Sequence, residues 1–222
     1  MIKSIIFDFD GLICDTETPE IEAWKSLFRE YNQEFPIDEY LKSIGSIYND
    51  RTPLFHLKKM INKPLDIDDL MIEFQKRKMK FNESEPLMPC VLEYLNFAKK
   101  SGLLIGLASS SPSEWIQYHI DRLKIFEFFD CIMTSSDVDK TKPDPELYQK
   151  TIKCLEIEPF EAIALEDSPN GVSAALRAGM NVVAIPNQVT SRFNFDQAHF
   201  IFQSLCDISL KDLIEKFNKQ VT

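Results

Sequence analysis

The stretch Ile5-Ile6-Phe7-Asp8-Phe9-Asp10-Gly11 constrains this chain more than any other. Its apolar run is too short for a helix interior and rich in Ile and Phe, so it reads as a strand buried on both faces. It ends in two carboxylates and a glycine. A charge brought out of water needs a partner or a metal. Two aspartates at the mouth of a buried strand, with Gly11 letting the backbone turn, therefore suit a hard, oxygen-preferring cation. The same residues also read structurally, with Asp10 capping a turn and Asp8 pairing with a lysine.

The rest of the chain falls into two patterns. After the first strand, Thr18 reads as an N-cap with Pro19 at the first helical position. The helix runs to about Asn32 and places Ile21, Trp24, Leu27 and Phe28 on one face. From there to about Glu85 the sequence is helical in character. A short helix ends at Gly45, Asp50 can cap a helix carrying Leu54 and Leu57, and Asp66 or Asp68 restarts the chain after Pro64. The basic run Lys76-Arg77-Lys78-Met79-Lys80 reads as a solvated face of the last of these helices. Beyond Pro86-Leu87-Met88-Pro89, helices alternate with apolar strands near 103–108, 131–133, 162–165 and 182–185. Strands separated by single helices imply right-handed crossovers and a parallel sheet covered on both faces. The expected fold is α/β, a doubly wound parallel sheet built from 1–15 and 86–222, with an all-helical domain, 16–85, inserted into it.

Charge and cysteine content narrow the partners. Lys and Arg number 25 against 35 Asp and Glu, a net charge of −10, which argues against nucleic acid and anionic membrane surfaces. Cys14, Cys90, Cys131, Cys154 and Cys206 are scattered and hold no C-x-x-C pair, which suits a reducing compartment and excludes a cysteine zinc site. With no signal-peptide pattern and no apolar run of membrane-spanning length, the expected location is cytoplasmic.

In open parallel sheets, ligands bind beyond the carboxyl ends of the strands. The polar residues gather there: Asp8 and Asp10 after the first strand, Ser109 and Ser110 after the second, Lys142 in the Pro-rich loop after the third, Glu166 and Asp167 after the fourth. Each has a structural reading as a cap or surface charge. Together they suit phosphoryl transfer, in which a cation, a lysine and hydroxyl donors offset charge on the phosphate so that a carboxylate can attack in line.

These four segments, Asp8-Phe9-Asp10-Gly11, Ser109, Lys142-Pro143 and Glu166-Asp167-Ser168, resemble in identity and order the motifs of the haloacid dehalogenase-like hydrolase superfamily. The likeness spans the chain, the helical insertion corresponding to that family's cap. The resemblance implies a Rossmann-like core and Mg²⁺. It makes Asp8 the nucleophile that forms an aspartyl-phosphate and Asp10 the acid and base toward the leaving oxygen and the attacking water. The metal would lie with the carboxylates of Asp8 and Asp167 and the carbonyl of Asp10, with Glu166 bound to it or just behind. Ser109, the Ser110 amide and Lys142 would hold phosphoryl oxygens. The dehalogenase and phosphonate-cleaving branches do not fit, because Asp10 and the Glu166-Asp167 pair are present.

Ala23-Trp24-Lys25 and the overall pattern resemble the β-phosphoglucomutase-like subfamily. Its mutases carry a hinge histidine, a cap-loop arginine and a late cap lysine. Here Glu20 stands at the hinge, the cap loop has no arginine before Arg51, and Lys78 resembles the lysine. The expectation is a phosphatase for a small phosphomonoester such as a sugar phosphate. A sugar-phosphate mutase and a catalytically silent scaffold are the alternatives. Glu20, Tyr48, Arg51 and Lys78 are the candidates for reading substrate, and the two linkers are the natural hinges. The expected partner is a small phosphorylated metabolite, with no nucleic acid and no membrane, and the chain is expected to act as a monomer.

Overall fold

Ser4–Phe7 forms β1, all four residues buried, because Ile5, Ile6 and Phe7 are apolar on both faces and only an interior strand buries both. The computed structural model describes residues 1–43, 52–61 and 64–220. The chain divides into two compact units, Met1–Cys14 with Pro86–Thr222, and Asp15–Glu85.

The second unit is helical: α1 Glu17–Glu30, α2 Ile37–Ser43, α3 Thr52–Met60 and α4 Ile67–Asn82. Its core is Trp24, Leu27, Phe28, Phe35, Leu54, Leu57, Leu70 and Phe74. The Trp24 and Phe74 rings stack with centroids 3.5 Å apart. The helix expected to have Thr18 as its N-cap and Pro19 as its first residue begins earlier, at Glu17, and the Thr18 amide, inside the first turn, donates to Asp15 Oδ1 at 3.0 Å. Asp66 caps α4 as expected, accepting from the amides of Asp68 and Asp69. The basic run on α4 is not uniformly solvated. Lys76 and Lys80 are exposed, whereas Arg77 bonds Ser26, Glu30 and Glu73. The expectations at Gly45, Tyr48, Asp50 and Arg51 lie outside the described residues.

The first unit continues after β1 with α5 Val91–Lys100, β2 Leu104–Ala108, α6 Ser113–Arg122, β3 Cys131–Met133, α7 Glu146–Cys154, β4 Ala162–Glu166, α8 Pro169–Arg177, β5 Asn181–Ala184, β6 Phe200–Ile201 and α9 Leu210–Gln220. Among the described residues these strands form one six-stranded sheet in the order β3-β2-β1-β4-β5-β6, every pairing parallel. Alternation along the strands splits the core in two. Ile5, Phe7, Ile105, Leu107, Ile163, Leu165 and Val183 pack with α5, α6 and α9. Ile6, Ala164, Val182 and Ala184 pack with α7 and α8. The second face is made of small residues because α7 lies close: a Cβ on Gly106 would sit 2.8 Å from Thr151 Cγ2. The expected doubly wound parallel sheet is therefore the observed fold.

Two features depart from the sequence reading. β6 was not expected, since a two-residue strand with one exposed side chain carries no periodic signal. The cysteines that suited reducing surroundings include two bonded pairs, Cys90–Cys206 and Cys131–Cys154, which the fold brings together across 116 and 23 residues. Cys14 is buried and belongs to neither.

Candidate active site

The strand order reverses between β1 and β4, which makes a crevice at their carboxyl ends. Asp8 follows β1 directly, and its amide donates to Leu165 O at 3.0 Å, so the two strand ends are locked side by side. Glu166 ends β4 and Asp167 follows it. Carboxylate oxygens of Asp8, Glu166 and Asp167 all lie within 4.8 Å of one another, and all three residues are buried.

Lys142 enters this cluster from the loop before α7. Its Nζ lies 2.5 Å from Asp8 Oδ1 and 2.6 Å from Glu166 Oε1, and it donates to Ala108 O at 2.8 Å. Burial, followed by the Glu166 and Asp10 charges, pushes the Asp8 carboxyl up to about 8 despite the opposing Lys142. Burial pulls the Lys142 ammonium down, but Asp8 and Glu166 outweigh it and hold its pKa above the usual lysine range. Tyr148 is pushed up by burial and then by Glu166. Its hydroxyl therefore stays protonated and donates to Glu166 Oε1 at 2.5 Å.

Glycine and capping chemistry fix the acids in place. Gly11 has φ of +81°, and a side chain there would overlap Asp167 and Asn187. A Cβ on Gly171, in the first turn of α8, would run into the Glu166 carboxylate. Ser168 caps α8 by accepting from the Gly171 amide at 3.1 Å, so the helix start is seated directly against Glu166.

Asp10 sits on the turn after β1, where the amides of Leu12, Ile13 and Cys14 all bond Phe9 O. It is held by the β2–α6 segment. Ser109 Oγ and Ser111 Oγ donate to its Oδ2 at 3.3 and 2.6 Å, and Trp115 Nε1 donates to Oδ1 at 2.9 Å. Ser109 is buried, while Ser110 beside it is exposed. Of the residues expected in the helical unit, Glu20 and Lys78 pair at 2.5 Å, and Glu20 also accepts from the Tyr40 hydroxyl at 2.8 Å. Tyr48 and Arg51 lie outside the described residues.

Sequence reasoning missed four contributors: Ser111 and Trp115 on Asp10, Tyr148 on Glu166, and Asn187, whose Nδ2 donates to Asp167 Oδ2 at 2.7 Å. The position of Trp115 two residues into α6 is one that core residues share, so its spacing carries no sign of a bond to Asp10. Asn187, directly after Pro186 at the end of the β5 run, carried a usable signal, since polar residues at that end of the sheet face the crevice.

The donor set fits a divalent cation. With every group ionised, the three carboxylates and the one ammonium carry a net charge of minus two, which such an ion balances with oxygen ligands. Buried acids, a lysine and hydroxyl donors thus gather at the switch point of a doubly wound sheet, in a cluster that could hold a metal ion.

Comparison with known proteins identifies the family. Residues 5–185 match the haloacid dehalogenase-like hydrolase family, and the chain belongs to it. YhcW of Bacillus subtilis, whose name assigns it provisionally to the phosphatases, is 42% identical over 220 residues, 99% of this chain and 100% of that protein. The phosphorylated carbohydrates phosphatase of Thermotoga maritima is 30% identical over 184 residues, 81% of this chain and 82% of that one. The β-phosphoglucomutase of Clostridium difficile superposes with a TM-score of 0.77 at 22% identity, covering 100% of this chain and 99% of that one, which shows a shared fold. No helix among the described residues is long and apolar enough to cross a membrane.

Proposed function

We propose that the protein is a Mg²⁺-dependent phosphatase acting on a small phosphomonoester, in particular a sugar phosphate, through an aspartyl-phosphate on Asp8. The observation that carries this reading is the buried Asp8–Glu166–Asp167 cluster facing Lys142 at the β1/β4 crevice. The phosphatase names of YhcW and the Thermotoga relative support the reaction class, and the latter supports a phosphorylated carbohydrate.

Asp8, Asp167 and Glu166 would hold the ion, with the Asp10 carbonyl completing the set that the family resemblance suggests. Mg²⁺, when bound, supplies positive charge against the phosphoryl oxygens. A carboxylate oxygen of Asp8 attacks phosphorus in line, and the bond from phosphorus to the ester oxygen breaks. Asp10 gives its proton to that departing oxygen, releasing the alcohol. The resulting Asp10 carboxylate then takes a proton from water as the water oxygen attacks phosphorus, which frees phosphate and restores Asp8. Lys142, Ser109 and the Ser110 amide offset charge on the phosphoryl group.

Substrate reading by Glu20, Tyr48, Arg51 and Lys78, and a cytoplasmic, monomeric state, belong to the same proposal. The test is phosphate release from a panel of sugar, polyol and nucleoside monophosphates with Mg²⁺ and with chelator. Metal-dependent release favouring sugar or polyol phosphates supports the reading. Conversion of β-glucose 1-phosphate to glucose 6-phosphate without net phosphate loss, or no hydrolysis of any substrate, contradicts it.

A further inference from the structure

Asp10 is engaged on both oxygens, but by partners of different kinds. Oδ1 receives the Trp115 indole N–H at 2.9 Å. Oδ2 receives the Ser111 and Ser109 hydroxyls at 2.6 and 3.3 Å. An indole N–H can only donate, whereas a hydroxyl can either donate or accept. A proton on Oδ1 would meet the indole hydrogen head-on. A proton on Oδ2 is accommodated when the serine hydroxyls turn.

We propose that Trp115 is a positioning residue for Asp10: its indole N–H keeps Oδ1 as an acceptor, so the proton passed to the leaving group is carried by Oδ2, beside Ser109. This inference rests on the reading of Asp10 as the general acid given above. Oδ2 is the useful side because it neighbours the hydroxyl assigned to the phosphoryl group, so the proton faces the ester oxygen it must reach.

The indole is well placed to act as a fixed stop. Trp115 lies in the first turn of α6, and the ring of His119, one turn on, meets it edge-on with centroids 4.3 Å apart. His119 is fully buried, packs 5.6 Å from the Phe9 ring and bonds Arg122 Nη2 through Nδ1 at 3.1 Å. Phe9 in turn sits between the two site aspartates in sequence. The indole plane, the imidazole and the Asp8–Asp10 segment are thus packed as one block, and a two-fold flip of the Asp10 carboxyl is resisted on the Trp115 side.

A leaving-group comparison isolates this role. Para-nitrophenolate departs without a proton, whereas an alkoxide needs one, so loss of the acid falls selectively on alkyl esters. Trp115→Phe keeps an aromatic ring facing His119 but removes the N–H together with the second ring of the indole. The quantity read is kcat/KM for glycerol 2-phosphate divided by kcat/KM for para-nitrophenyl phosphate. Any fraction of misfolded enzyme lowers both values equally and cancels in the ratio. We expect the ratio to fall about tenfold in Trp115→Phe and on the order of 100-fold in Asp10→Asn. An unchanged ratio in Trp115→Phe beside a fallen ratio in Asp10→Asn reduces Trp115 to packing and overturns the inference alone. An unchanged ratio in both variants removes Asp10 from the acid role and takes the inference with it.

Discussion

Replacing Asp8, the proposed nucleophile, should make the metal-free protein more stable. Asp8 is lifted from 3.8 to about 8, first by burial and then by Glu166 and Asp10, against the pull of Lys142. A carboxyl with a raised folded-state pKa adds stability that is fully present below its unfolded pKa and is lost as pH rises through the folded value. In the chelated enzyme, Asp8 therefore costs stability progressively between pH 4 and pH 8. At about 1.4 kcal/mol per pH unit, the ceiling is about 6 kcal/mol. That ceiling is already net of the pull of Lys142, and relaxation and water entry at the buried site lower it to about 2 kcal/mol as the expected effect. Asp8→Asn keeps the shape and cannot ionise, and Lys142 retains Glu166 as its partner at 2.6 Å. In chelator at pH 8 the variant should melt roughly 4 to 8 °C above the wild type. The gap should shrink to a small remainder as pH falls to 4, where Asp8 is protonated in the folded state and begins to be so in the unfolded chain, and should reverse in Mg²⁺, which only the wild-type site binds fully. Calorimetry across pH 4 to 8, with and without the ion, measures all three. A variant that melts below the wild type at pH 8 in chelator, or a gap independent of pH, refutes the reasoning.

Asp10→Asn should leave Mg²⁺ affinity within about threefold by titration calorimetry while lowering kcat by a factor on the order of 100 with little change in KM. Asn187→Ala removes the amide that orients Asp167 at 2.7 Å, and should weaken Mg²⁺ binding roughly tenfold by the same measurement. Mild reductant should lower the melting temperature, because Cys90–Cys206 closes a span of 116 residues and a disulfide of that reach contributes about 2–4 kcal/mol. Thiol titration of the unfolded, unreduced chain should then count Cys14 alone.

The sheet was legible because five of its strands carry apolar runs of three residues or more that are too short for helices and alternate with helical segments. β6 was not legible, since its pairing to β5 at Val183–Phe200 and Ala184–Ile201 depends on the neighbouring strand rather than on its own sequence. Local capping was partly readable: Asp66 announces α4, whereas Thr18 lies inside the first turn of α1 with its amide on Asp15. The acids, Lys142 and Ser109 could be placed because they follow strand ends, and the sheet fixes where strand ends go. Their supporting partners could not. Trp115 sits at a spacing that core residues share, and its bond to Asp10 spans 105 residues. The pairing of Cys90 with Cys206 is likewise a product of the fold, invisible in residue spacing.

The most direct test of a carboxylate displacing the ester oxygen is acid quench of the working enzyme. Wild-type protein is mixed with Mg²⁺ and para-nitrophenyl phosphate, stopped in acid within the first turnovers, digested and mapped by mass spectrometry. The account predicts one phosphoryl group on the peptide spanning Asp8, removed by hydroxylamine and absent from Asp8→Asn. Steady phosphate release with that peptide never phosphorylated, or a phosphoryl group on another residue, contradicts it.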